Sequence, residues 1–72
     1  MELSTSERIK IICKRKGIIM TSVAEATGQS RQNLSNKLAR NNFTETELQA
    51  IAEAIGCTYE AAFVDKETGE RY

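Results

Sequence analysis

Residues 20–40 read MTSVAEATGQSRQNLSNKLAR, and two features in the middle of this stretch predict its structure. Gly28 predicts the end of a helix, because glycine adopts the positive φ that a chain often needs just beyond a helix C-terminus. Ser30 predicts the start of another helix, since its hydroxyl can accept a hydrogen bond from an amide two or three residues later. Two helices joined by so short a turn form a helix-turn-helix unit.

Apolar residues on both helices are spaced for burial. Val23, Leu34 and Leu38 are expected to pack the pair against the rest of the protein, and Ala24 is small enough for the two helices to cross closely. The unit is therefore expected to be rigid.

The outward side of the second helix is polar. When Leu34 faces the core, no aliphatic residue larger than alanine lies on the opposite face. Arginine and amide side chains can read base edges in the DNA major groove, and the first turn of such a helix lies nearest the bases. The predicted base-reading residues are Arg31, Gln32, Asn33, Ser35 and Asn36. A merely solvated helix face is the alternative interpretation.

The charge of the chain is unevenly distributed, although the ten basic and ten acidic residues cancel. Residues 8–40 hold eight basic residues and one acid, Glu25, whereas residues 41–72 hold seven acids and two basic residues. The half with the helix-turn-helix unit is thus basic and suits a polyanion such as double-stranded DNA. Predicted phosphate contacts are Lys10, Lys14, Ser30, Lys37 and Arg40, although Lys10 and Lys14 also fit a solvated helix face.

The remaining segments predict an all-α fold of five helices in one domain, residues 1–72. Capping-box patterns start a helix from about Thr5 to Lys16, after Ser4, and another after Thr44 that stops at Gly56. Thr58 is expected to cap a short fifth helix through Ala62. In the tail, residues 63–72, a strand, a turn over 66–69 and a second strand predict a short C-terminal β-hairpin.

An isolated hairpin is marginally stable in water, so the tail needs a surface to pack on. One interpretation is a homodimer contact through Tyr59, Phe63, Val64 and Tyr72. The other is a strand folded back on its own domain, or a frayed end.

Size and composition argue against several functions. A chain of 72 residues without histidine offers neither a large enclosed active site nor a zinc cluster, so no enzyme activity, cofactor, metal or small-molecule substrate is expected. Cys13 and Cys57 are expected to be small buried apolar residues, and a disulfide between them stays open. No signal peptide or membrane span is evident, so a cytoplasmic location is expected.

Residues 6–63 resemble the lambda repressor and Cro family of helix-turn-helix domains, also called XRE-like. The matching positions are Arg8-Ile9-Lys10, Gly17, Val23-Ala24-Glu25, Gly28, Ser30-Arg31, Leu34-Ser35, Leu48, Ile51-Ala52 and Ala54-Ile55-Gly56. The resemblance implies a five-helix fold and sequence-specific operator binding, usually as a dimer. A transcriptional regulator, and from the family a repressor, is the leading hypothesis. The alternative is a protein-interaction module, such as an antitoxin or adaptor, that binds through its acidic half.

Overall fold

The computed structural model describes residues 3–72 and contains four helices in that range. They are α1 (Thr5–Lys16), α2 (Met20–Ala26), α3 (Arg31–Arg40) and α4 (Glu45–Ala54). The helix-turn-helix unit is formed by α2 and α3. None of the helices described is long and apolar enough to cross a membrane.

Capping boxes start α1 and α4, as the sequence predicts. Ser4 Oγ accepts from the Glu7 amide at 3.1 Å, and Glu7 Oε1 accepts from the Ser4 amide at 3.1 Å. Thr44 and Glu47 make the same two bonds at 3.2 and 3.0 Å. The hydrogen bond that the Ser4 amide donates lowers the pKa of the Glu7 carboxyl in the folded protein. This bond therefore stabilises the fold above the pKa that the carboxyl has in the unfolded chain, and the stabilisation is lost as pH falls through the lower folded-state pKa.

The turn between α2 and α3 also follows the prediction. Gly28 has a φ of 69°, and Ser30 Oγ accepts from the Asn33 amide at 3.0 Å. Because the glycine turns the chain and the serine satisfies an otherwise free amide, α3 begins two residues after Gln29.

One cluster of buried side chains holds the helices together. Its largest fully buried members are Val23 from α2, Leu34 from α3 and Ile51 from α4. Other members are Ile9, Cys13, Ala24, Leu38 and Ile55. Full burial of an aliphatic side chain contributes about 1.5–3 kcal/mol, so this cluster is the main source of stability.

A buried polar contact that the sequence does not reveal joins α1 to the end of α3. Ser6 Oγ donates to the Leu38 carbonyl at 2.6 Å, and the Ser6 amide donates to Asn41 Oδ1 at 3.0 Å. Asn41 has a φ of 52°, a left-handed conformation that asparagine tolerates better than most residues. The contact fixes the C-terminal end of α3.

The prediction of a fifth helix from Thr58 to Ala62 is wrong. Residues 58–62 form no helix, and Glu60, Ala61 and Ala62 are exposed. A single turn of helix gains too few hydrogen bonds to offset its nucleation cost unless it buries an apolar face. Residues 60–62, which follow the cap pattern at Thr58, are exposed and provide no such apolar face.

The predicted hairpin is reduced to one isolated antiparallel bridge between Val64 and Arg71. Its turn does form: Asp65 Oδ1 accepts from the Glu67 and Thr68 amides at 2.8 and 3.1 Å, and these bonds lower the pKa of Asp65. Within residues 3–72 the pairing does not extend into a regular strand, because the paired segments are short and lie exposed to solvent.

Both cysteines are free thiols. Cys13 is buried in the core, and burial raises its pKa. Cys57 is half-buried and packs against the same cluster, where Lys16 Nζ lies 3.8 Å from its sulfur. Lys16 also donates to the Ile55 carbonyl at 2.7 Å, so this cation stabilises the C-terminal end of α4.

Candidate nucleic-acid interface

The exposed face of α3 carries all five of the predicted base-reading side chains. Arg31, Gln32, Asn33, Ser35 and Asn36 are exposed, whereas Leu34 and Leu38 on the same helix are buried. The buried leucines hold the helix against the core, and its polar face is left open to a partner.

Two of the amides on this face contact each other. Gln32 Nε2 donates to Asn36 Oδ1 at 3.3 Å across one helical turn. The bond uses one N–H of Gln32 and one lone pair of Asn36, so each side chain keeps further donors and acceptors. The pair is thereby oriented and still able to bind a base edge.

Asn33 is tied to the turn instead. Its Nδ2 donates to Gln29 Oε1 at 2.9 Å, and Gln29 Nε2 donates to Thr27 Oγ1 at 2.8 Å. Thr27 Oγ1 in turn donates to the Val23 carbonyl at 2.8 Å. This chain of hydrogen bonds links the first turn of α3 to the end of α2, so Asn33 supports the orientation of α3.

The five residues predicted to contact phosphate differ in exposure and in their hydrogen-bond or ionic partners. Lys10 and Lys14 are exposed on α1, and Arg40 is exposed at the end of α3. Ser30 Oγ is occupied as the cap of α3. Lys37 forms an ion pair with Glu47 of α4.

A polar groove runs beside the outer face of α3 and has a volume of about 280 Å³. It brings four site residues that the sequence predicts together with residues of the α3–α4 connection and of α4; the four are Asn33, Asn36, Lys37 and Arg40. Its lining consists of Asn33, Asn36, Lys37, Arg40, Asn42, Thr44 and Glu47. The sequence does not predict that Asn42, Thr44 and Glu47 lie in this groove, because their place in it depends on how α4 packs and not on any periodicity along the chain.

The tail leaves large apolar side chains in solvent. Phe63, Val64 and Tyr72 are 85%, 53% and 72% exposed, and Tyr59 is half-buried. The tail therefore does not bury these three side chains against its own helices.

Comparison with known families gives a match that covers most of the chain. Residues 8–64 match the family of Cro/C1-type HTH DNA-binding domains, close to the range 6–63 in which the sequence resembles that family. No significant match to a curated protein or to a solved structure was found. The family match covers α2, α3 and α4 completely and most of α1. The chain belongs to the family of Cro/C1-type helix-turn-helix DNA-binding domains.

Proposed function

We propose that this chain is a sequence-specific transcriptional regulator, a repressor that binds operator DNA in the cytoplasm. The observation that supports it most is the polar, exposed face of α3 on a helix held by the fully buried Leu34. Such a helix can enter the major groove without changing its packing. Repression follows if the bound protein occupies DNA that the polymerase needs.

In this proposal α3 supplies the base contacts. Gln32 and Asn36 bind base edges, for which adenine is suited because it offers an acceptor and a donor to an amide. Arg31 and Ser35 reach neighbouring positions from the first turns of the helix. Asn33 contributes to the same surface while it stays bonded to Gln29.

In this proposal the phosphate contacts come from the two ends of α3 and from the exposed lysines of α1. Arg40 lies in the groove beside Asn36, and Lys10 and Lys14 extend the basic surface along α1. In this proposal Ser30, which caps the start of α3, meets a phosphate together with the amides of the first turn that have no partner within the helix. Lys37 can join them only when its carboxylate partner is removed or displaced.

Arg40→Ala is expected to weaken binding to all duplex sequences alike. One lost phosphate contact should flatten the plot of log affinity against log salt by about 0.9. Fluorescence anisotropy with a random-sequence duplex at several salt concentrations measures this slope. Arg71→Ala is the control because it removes the same charge from the tail; equal slopes for the two variants would place Arg40 away from the DNA backbone.

We also propose that the regulator is a homodimer joined through Tyr59, Phe63, Val64 and Tyr72. The supporting observation is the exposure of apolar tail side chains, which a second copy could cover. A twofold pair would place two α3 helices about 34 Å apart, one turn of DNA, and would favour a palindromic operator.

Phe63→Asp is expected to shift the chain towards monomer, because a carboxylate would replace an apolar side chain in the dimer contact. Light scattering over a concentration series measures the change in mass. Lys66→Gln changes the charge of the turn by the same amount and should leave the mass as in the wild type. A wild-type chain that stays monomeric at every concentration and on DNA would contradict the homodimer.

Selection of bound sites from random duplex DNA tests the proposed function. The expected result is a palindromic consensus with half-sites about one helical turn apart. Failure to enrich any motif at low salt would contradict it and favour the protein-interaction module instead.

A further inference from the structure

Glu47 makes two contacts at the edge of the candidate interface. Its Oε1 accepts from the Thr44 amide at 3.0 Å, within the capping box of α4, and its Oε2 pairs with Lys37 Nζ of α3. The Lys37 and Glu47 side chains are 31% and 28% exposed, so neighbouring atoms partly shield the pair from water. One carboxylate thus joins the start of α4 to the last turns of α3.

This ion pair lies in the groove that contains Asn33, Asn36 and Arg40. A lysine ammonium in that position would attract a DNA phosphate, but here a carboxylate neutralises it. Phosphate contacts strengthen binding to every sequence equally, whereas base contacts distinguish sequences. An ammonium withheld from phosphate therefore lowers the affinity for every duplex by the same factor and leaves the discrimination between sequences unchanged.

We propose that Glu47 is a positioning residue that holds Lys37 away from the DNA backbone and thereby limits the protein's electrostatic affinity for duplex DNA. The inference rests on the proposed DNA-binding function and extends it. Glu47 touches neither bases nor phosphates; it acts through Lys37 and through the α3–α4 contact. The protein thereby gives up one phosphate contact, which weakens its binding to all duplexes and makes that binding less dependent on salt.

Glu47→Gln tests this inference in the full chain. Glutamine also serves at this position of a capping box, so α4 keeps its start while Lys37 loses its ionic partner. The probe is a random-sequence duplex. The expected result is an affinity gain of roughly fivefold, typical of one exposed ionic contact, and a salt slope steeper by about 0.9.

Two further variants separate the release of Lys37 from a general change of charge. Glu45→Gln removes the same charge from the same first turn of α4 while Lys37 stays paired, and it is expected to keep the wild-type slope. The double variant Lys37→Met with Glu47→Gln removes the released ammonium and should return the slope to the wild-type value. An active fraction that is the same at every salt concentration leaves the slope unchanged, so circular dichroism of each variant over the same salt series must show an unchanged folded fraction.

A wild-type slope in Glu47→Gln, or the same gain in Glu45→Gln, would overturn the role of Glu47 while leaving the proposed function in place. A steep slope that persists in the double variant would overturn it as well, because Lys37 would not be the source. If the wild-type chain binds no duplex at low salt, the proposed function falls, and this inference falls with it.

Discussion

Leu34→Ala is expected to destabilise the protein more than any other single truncation on α3. Leu34 is fully buried, and its side chain joins α3 to the core that α2 and α4 share. Removing a buried leucine side chain costs about 2–5 kcal/mol, against a total stability of about 4–11 kcal/mol for a chain of this length. Thermal unfolding followed by circular dichroism should show a midpoint lower by more than roughly 10 °C.

Ser35→Ala is the matched control for Leu34→Ala. Ser35 is the next residue on the same helix and is exposed, so its replacement is expected to change the free energy of unfolding by no more than about 0.5 kcal/mol. If the free energy of unfolding of Leu34→Ala lay within about 1 kcal/mol of the wild-type value, this side chain would not be what holds α3 against the core.

Gln32→Ala and Asn36→Ala are each expected to relax the preference for one base pair of the operator. A good bidentate amide contact contributes about 1–3 kcal/mol of discrimination, so the wild-type preference at that base pair should fall by roughly five- to more than a hundredfold. Affinity for random-sequence duplex should change little. Competition between the selected operator and single-base variants of it measures both quantities.

The hydrogen bond between Gln32 and Asn36 predicts that their contributions to base discrimination are not additive. Because each amide orients the other, the double variant should lose less discrimination than the sum of the two single losses. Gln49→Ala, which removes an exposed amide from α4, is the control and should keep the wild-type base preferences. Unchanged preferences in both single variants would mean that the base-reading face is assigned to the wrong side chains.

Local signals in the sequence predict most of the helical structure. Ser4, Ser30 and Thr44 each start a helix where the sequence places it, because a cap depends only on residues within one turn. The burial of Leu34 follows from helical periodicity, and the exposure of Gln32 and Asn36 follows from the same periodicity. The face of α3 is therefore predictable without knowledge of the packing.

Contacts between helices were not predictable in the same way. Ser6 with Asn41, and Lys37 with Glu47, join residues from different elements, and no local pattern shows which elements meet. The error at Thr58 has a related cause: a cap pattern can start a helix, but burial of an apolar face decides whether a single turn persists. The groove beside α3 likewise exists only because α4 packs next to it.

The most direct test of the central claim, that α3 enters the DNA groove, is an NMR titration of the ¹⁵N-labelled full chain with its selected operator. The account predicts the largest changes of amide chemical shift in residues 30–37, with smaller changes at Lys10, Lys14 and Arg40. If the largest changes fell in residues 58–72 while the amides of α3 stayed at their free positions, the account would be contradicted.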